Sequence, residues 1–130
     1  MKLVIKGEYY KQKTFPSLND LLREYGRNPK AGSRMKLEYE NYCIDAIRTQ
    51  IRGRKVEHPI VIHYKFYEPN SGKVRDVMNV FTFADKIFED ALVKCGVIPD
   101  DNPRFVLNTT HEFDFTNDVP YIEISIEECF

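Results

Sequence analysis

Two adjacent aspartates, Asp100 and Asp101, are the first residues in this chain whose types and spacing suggest chemistry. Neighbouring like charges repel each other, so an ordinary turn gains nothing from the second carboxylate. One interpretation is a solvated turn in which both side chains face water. The other is that the carboxylates share a cation, because carboxylate oxygens are the ligands that Mg²⁺ and Ca²⁺ prefer. The residue types alone leave both interpretations open.

A second group of polar residues lies on the helix that is predicted just before this pair. At about 100° per residue, Asn79, Lys86 and Asp90 fall on one narrow stripe beside a broad apolar arc. Asp76 comes directly before the helix. A Lys–Asp pair four residues apart is usually a surface ion pair that contributes roughly 0.2–0.5 kcal/mol. The stripe by itself therefore does not identify a site.

Predicted helices and strands, read from the spacing of apolar residues, must position these side chains. Periods of three and four residues predict helices, which cover residues 17–28, 33–51 and 79–95. Ser17 is the predicted N-cap of the first helix, and Gly96 occupies the usual position after the last one. Alternating or β-branched runs predict strands over residues 2–9, 58–69, 104–115 and 120–128, of which the last two are expected to be antiparallel and joined by residues 116–120. Residues 30–36 are expected to form a basic, glycine-containing connector.

The order of these elements predicts an α+β fold, because strands and helices do not alternate strictly. We expect one domain over residues 1–130, in which a small mixed sheet packs against two main helices. Hydrophobic residues make up 42% of the chain and aromatic residues 13%, which is typical of a globular protein and excludes a disordered one.

Composition also restricts where the protein works. No apolar run reaches the length of a membrane helix, and the first ten residues hold too few apolar positions for a signal peptide. The three cysteines are widely spaced and include no CxxC pair, which fits reduced thiols in the cytoplasm and gives no zinc site. The three histidines show no metal-binding spacing and are expected on strand surfaces or in the core.

The net charge of −1 conceals a strong asymmetry along the chain. Residues 1–75 carry 16 Lys and Arg against 8 Asp and Glu, whereas residues 76–130 carry 3 against 12. One surface could therefore face a polyanion while another collects carboxylates for a cation. The basic candidates for phosphate contacts are Lys30, Arg34, Lys36, Lys73 and Arg75, although a solvated surface charge is the simpler interpretation of each.

The segment RDVMNVFTFADKIFEDALVKCGVIPDD, residues 75–101, resembles the core motif of the RusA-type Holliday junction resolvases, especially their phage-borne branch. That motif runs Arg-Asp-x-Asp-Asn, then a Lys four residues before Asp-Ala-Leu, then Gly-Val-hydrophobic-x-Asp-Asp. The residues that match are Arg75, Asp76, Asn79, Lys86, Asp90-Ala91-Leu92, Gly96-Val97-Ile98, Asp100 and Asp101. Residues 16–40 and 67–76 resemble the same branch, so the likeness covers nearly the whole chain.

The resemblance implies a homodimeric, Mg²⁺-dependent endonuclease that binds four-way DNA junctions and nicks two strands symmetrically. Asp76 and Asp101 would bind the metal, with Asp100 close behind. Lys86 would balance charge on the phosphate or the leaving oxygen. Asp90 would complete the catalytic group, and Asn79 would support it.

Two features depart from the family pattern. Met78 stands where the motif has its second aspartate, and a thioether cannot serve Mg²⁺. The interval from Asn79 to Lys86 also exceeds that of the compact cellular members by about one helical turn. A junction-binding protein that cuts poorly or not at all is therefore one alternative. A metal-dependent nuclease with another specificity is a second, and a plain structural protein would leave the paired aspartates unexplained.

Overall fold

Four strands and three helices make up the part of the chain that the computed structural model describes, residues 1–7 and 14–130. In chain order they are β1 (Lys2–Lys6), α1 (Leu18–Arg27), α2 (Pro29–Gln50), β2 (Ile60–Pro69), α3 (Val77–Lys94), β3 (Val106–Thr116) and β4 (Tyr121–Glu128). The predicted first strand is confirmed over Lys2–Lys6, and its end at residues 8 and 9 lies outside the described residues.

The strands form one mixed sheet in the order β1-β4-β2-β3. β4 is antiparallel to both of its neighbours, and β3 is parallel to β2. This arrangement confirms the α+β class. The last two strands run in opposite directions, as predicted, but they do not pair with each other, because β2 lies between them. A strand whose side chains are buried or half-buried at every position, as in β2, is stabilised most in the middle of a sheet.

One face of the sheet and the apolar sides of α2 and α3 enclose the core. Tyr64 on β2 lies at its centre, with its ring 6.0 Å from that of Phe88 and 5.6 Å from that of Phe81. The apolar arc predicted for α3 is confirmed, since Val80, Ala84, Ile87, Phe88 and Ala91 are buried and Cys95 is half-buried. α3 is therefore held against the sheet, with its polar stripe left at the edge of the core.

α1 and α2 are joined by a single residue, Asn28, which ends one helix and caps the next. Its side-chain oxygen accepts the Ala31 amide at 2.7 Å, and Pro29 occupies the first helical position, where its missing N–H costs nothing. Residues 30–36 are thus the first turns of α2, and the predicted connector there is wrong. The predicted N-cap at Ser17 is confirmed by a capping box with Asp20.

The two long helices are amphipathic instead of uniformly apolar. α2 has 22 residues and α3 has 18, and both carry charged side chains on their outer faces. Within residues 1–7 and 14–130, no helix combines the length and apolar character that crossing a membrane requires.

Gly32 allows α1 and α2 to approach closely. Gly32 is buried on α2, and a Cβ at this position would overlap the ring of Tyr25 on α1. The absence of a side chain thus lets an aromatic ring lie directly on the backbone of the neighbouring helix.

We expect Gly32→Ala to lower the melting temperature. Alanine is a better helix former than glycine by about 1 kcal/mol, but overpacking of this kind costs about 1–3 kcal/mol. Gly26→Ala on α1 is the matched control, because a Cβ there meets no described atom within 4 Å and should stabilise the helix. Thermal unfolding followed by circular dichroism measures both. A Gly32→Ala variant as stable as Gly26→Ala would contradict the packing described here.

Candidate active site

The hydroxyl of Tyr64 fixes the first carboxylate of the candidate site. Tyr64 is fully buried on β2, and its hydroxyl donates a hydrogen bond of 2.7 Å to Oδ1 of Asp85 on α3. Burial, followed by the charge of Asp85, raises the pKa of Tyr64 well above its ordinary value. The hydroxyl therefore stays protonated and remains a donor. Asp85 is held at the boundary between the core and solvent.

Glu89 follows Asp85 by one helical turn and lies against it. Burial raises the pKa of Glu89 to about 9, and the hydrogen bond and charge of Asp85 add to the effect, as does the charge of Asp101. Two carboxylates so close together cannot both stay ionised without a compensating positive charge. At neutral pH Glu89 therefore keeps its proton.

Asp101 reaches the same region from the turn that follows α3. Lys86 connects it to the helix, with Nζ 3.1 Å from Oδ1 of Asp90 and 3.7 Å from Oδ2 of Asp101. The hydrogen bond with Asp90 is the main reason that the pKa of Lys86 is raised. Three predicted site residues, Lys86, Asp90 and Asp101, thus meet beside the middle of α3, together with Glu89, which was not predicted.

Asp100 has a different part in the turn from Asp101. Its Oδ1 accepts the amide of Asp101 at 2.7 Å, and its Oδ2 accepts the side-chain amide of Asn102 at 2.9 Å. The backbone hydrogen bond is the main cause that lowers the pKa of Asp100. One carboxylate of the pair therefore shapes the turn, and the other faces α3.

Asp76 lies far from this group. It is the N-cap residue of α3, and it is exposed and makes no side-chain capping bond. Lys86 follows Asp76 by ten positions, which at about 1.5 Å per residue is about 15 Å along the helix. Asp76 thus lies at the N-terminal end of α3, whereas Asp101 lies beside Lys86 in the second half of the helix. The metal role predicted for Asp76, Asp100 and Asp101 together stays a prediction.

Asn79 and Met78 occupy the first turn of α3. Oδ1 of Asn79 accepts the backbone amide of Asn19 at 3.1 Å and so ties α1 to α3. Met78 is 58% exposed. Asn79 thus links α1 to α3, and its predicted support of the catalytic group stays a prediction.

Arg75 does not present a free guanidinium to DNA. Its Nε and Nη2 donate to the two carboxylate oxygens of Glu68 at 2.8 and 2.9 Å, and Nη1 donates to the carbonyl of Phe15 at 2.8 Å. Glu68 is buried, so the bidentate pair compensates a charge that would otherwise be costly. Arg75 thus anchors the segment before α3, and its predicted DNA contact stays a prediction.

The other predicted DNA-binding residues fall on two separate elements. Lys30 and Arg34 are exposed on the first turns of α2 and share one face, because they are four residues apart. Lys36 is half-buried on a different face of the same helix. Lys73 is exposed in the loop before α3 and lies near Phe115 of β3.

Asp85, Glu89 and Tyr64 are the site residues that the sequence analysis missed. A signal for the first two exists, because carboxylates four residues apart share a helical face and these flank the predicted Lys86. Nothing in the sequence marks Tyr64 as a site residue, because a tyrosine in an alternating strand is predicted to lie in the core.

Comparison with family models and with curated protein sequences identifies no relative. No family model matches the chain, and no curated protein sequence matches it. The function must therefore be inferred from the residues and their arrangement.

The raised pKa of Glu89 predicts how stability depends on pH. The folded chain keeps the Glu89 proton up to about pH 9, whereas the unfolded chain loses it near 4.5, so stability falls as pH rises between these values. Glu89→Gln should therefore gain stability over the parental chain as pH rises from about 5 to 8. Melting temperatures measured in metal-free buffer across this range test the expectation.

The control for this experiment is Glu127→Gln, which changes an exposed carboxylate on β4. Its melting temperature should follow the parental pH dependence. Adding Mg²⁺ at pH 8 should stabilise the parental chain more than Glu89→Gln, because only the parental chain retains the crowded carboxylates. Parallel pH curves for the parental chain and Glu89→Gln would show that Glu89 is not perturbed.

Proposed function

We propose that the protein is a Mg²⁺-dependent endodeoxyribonuclease that acts as a homodimer on four-way DNA junctions and makes paired symmetric nicks. The observation that carries the proposal is the crowding of Asp85, Glu89 and Asp101 beside Lys86. The sequence resemblance of residues 75–101 to RusA-type resolvases supports the choice of junction DNA as substrate. The free cysteines, Cys43, Cys95 and Cys129, suit a reducing cytoplasm.

Asp85, Glu89 and Asp101 fit Mg²⁺ by their chemistry. Within the described residues no group of three or more His, Cys, Asp and Glu forms a ready-made metal cage. Mg²⁺ does not need one, because it usually takes one or two carboxylates and completes its shell with water and substrate phosphate. A cation here would also relieve the repulsion that otherwise keeps a proton on Glu89.

The side chains of this chain would divide the work of phosphodiester hydrolysis. A Mg²⁺ ion, when bound, supplies Lewis acidity to the scissile phosphate and makes a bound water more acidic. Asp90 holds the Lys86 ammonium in place, where it can stabilise negative charge on the phosphate or the leaving oxygen. Tyr64 holds Asp85 through the buried hydrogen bond and so fixes the position of the carboxylates.

DNA binding would depend on the basic first part of the chain. Residues 1–75 hold most of the Lys and Arg, and Lys30 and Arg34 present two of these charges side by side on α2. Phosphate contacts of this kind contribute affinity without sequence preference, which suits recognition of a DNA structure.

A second candidate function is junction binding without efficient cleavage. Met78 replaces a carboxylate of the family motif, and Asp76 lies ten residues before Lys86, at the N-terminal end of α3. If catalysis requires an ion between Asp76 and a second aspartate at its side, this chain has lost it. Substitution of Asp76, Asp85 or Asp101 by asparagine distinguishes the two functions.

We expect Asp85→Asn and Asp101→Asn to abolish Mg²⁺-dependent cleavage while junction binding stays the same or becomes tighter. Each change removes a metal ligand and also a negative charge that faces the DNA. Asp76→Asn is the discriminating variant, because it removes a carboxylate at the far end of α3. Cleavage of a labelled four-way junction and gel-shift binding should be measured on the same preparations.

Three outcomes are informative. Cleavage that survives Asp76→Asn but not Asp101→Asn supports the site around Asp85. Loss of cleavage in Asp76→Asn alone would assign the metal to the N-terminus of α3. A parental chain that binds junctions but never cuts them in Mg²⁺ would favour the second candidate function.

Junction binding should weaken steeply with salt despite the slightly negative net charge. Each neutralised phosphate contributes about −0.9 to the slope of log K against log salt. The double variant Lys30→Ala, Arg34→Ala should therefore reduce the slope by up to about 2. The double variant Lys2→Ala, Lys6→Ala, which removes two exposed lysines from β1, is the control. Equal slopes for both double variants would exclude the face of α2 as the DNA contact.

A further inference from the structure

The two edges of the sheet differ in how their backbone groups are satisfied. At the β1 edge, the Gln50 side chain accepts the Val4 amide at 2.7 Å and donates to the Val4 carbonyl at 2.8 Å. This side-chain amide occupies the place that another strand would take. β1 is also short, and the exposed Lys2 and Lys6 flank it. Both features protect an edge from pairing with another chain.

The β3 edge has a row of backbone groups that point away from the sheet. The amides of Ile60 and Asn70 on either end of β2 donate to the carbonyls of Phe105 and Thr116. In a parallel ladder of this register, the even-numbered residues of β3 from 108 onward bond to β2. The N–H and C=O groups of Thr109, His111, Phe113 and Phe115 therefore face outward. Of these outward-facing backbone groups, the Phe115 amide bonds to the side chain of Asp114.

Exposed apolar side chains lie along the same edge. Phe115 is 48% exposed and Leu107 is 53% exposed, at opposite ends of β3. Val74, in the loop before α3, is 66% exposed. Phe115 and Val74 line one shallow cavity, so part of this apolar surface is continuous. Among residues 1–7 and 14–130 no strand pairs with the outer side of β3, and an edge of 11 residues with such side chains can accept a second strand.

We propose that a second copy of this chain pairs with β3 in antiparallel register, with the two-fold axis at His111, so that two four-stranded sheets become one. This inference deepens the proposed function, on which it rests for the requirement of two active sites. The β3 edge itself is a feature of the structure that does not depend on nuclease activity.

The charges of β3 favour a copy of the same strand in this register. With the axis at His111, Glu112 lies opposite Thr110 of the second copy, and Asp114 lies opposite Asn108. An axis at Glu112 would instead place two carboxylates directly opposite each other, which is destabilising. The chosen register also brings Phe115 of one copy to the same end of the ladder as Leu107 of the other. In this register Glu112 and Asp114 lie opposite polar side chains of the second copy, and Phe115 lies opposite Leu107.

Cysteine pairs test the register. Thr110 and Glu112 of opposite copies would form a non-hydrogen-bonded pair with Cα atoms about 4.5 Å apart, which suits a disulfide. A Thr110→Cys chain mixed with a Glu112→Cys chain should therefore form an intermolecular disulfide under mild oxidation by oxidised glutathione, faster than either variant alone. The parental chain measures the background of its three native cysteines.

Sedimentation velocity of the metal-free, DNA-free protein tests the surface independently. The parental chain should be a dimer, and Thr109→Pro should be monomeric yet folded, because it removes an amide that faces outward and leaves the ladder with β2 intact. Circular dichroism confirms the fold of the variant.

Several outcomes would overturn the inference. A monomeric parental chain would exclude a second copy and leave an extended peptide as the occupant of the edge. A dimer whose mixed cysteine variants do not cross-link preferentially would place the interface elsewhere. Neither readout depends on nuclease activity, so a dimer without cleavage contradicts the proposed function alone, and cleavage by a chain that stays monomeric contradicts this surface alone.

Discussion

The requirement that a buried tyrosine hydroxyl must have a partner governs the candidate site. Tyr64 lies in the middle of β2 among aromatic rings, where an unpaired hydroxyl would cost about 1–3 kcal/mol. Asp85 is the acceptor that α3 supplies. The hydrogen bond therefore fixes both the height and the rotation of α3 over the sheet. Because Glu89 and Lys86 belong to the same helical turns, their positions follow from that of Asp85.

This anchoring places a charge where further carboxylates are unfavourable without a cation. Burial raises the pKa of Glu89, the hydrogen bond and charge of Asp85 and the charge of Asp101 raise it further, and the charge of Lys86 lowers it. Lys86 is itself shared between Asp90 and Asp101. Crowding of Asp85, Glu89 and Asp101 therefore destabilises the metal-free protein, and such perturbed carboxylates are more frequent at functional sites than elsewhere. A solvated surface cluster would spread these charges apart.

Local patterns predicted the helices well and the contacts between elements poorly. The apolar arc of α3 and the caps at Ser17 and Gly96 depend on neighbours in sequence, so periodicity and capping rules were sufficient. The connector predicted at residues 30–36 was wrong because Asn28 ends α1 and caps α2 at once, so no separate connector is needed. The parallel pairing of β2 with β3 and the bond from Tyr64 to Asp85 join residues distant in sequence. No pattern within one element encodes them.

The length of α3 explains why Met78 need not be decisive. The interval between Asn79 and Lys86 is about one turn longer than in the compact resolvases that the chain resembles, and one turn displaces the helix start by about 5.4 Å. Carboxylates at positions 76 and 78 would then be carried away from Lys86 whether or not residue 78 is an aspartate. Asp85 and Glu89 lie on the turns that adjoin Lys86 and Asp101. If the proposed nuclease activity holds, its carboxylates lie further along the helix, at Asp85 and Glu89, and position 78 is then free to carry an exposed methionine.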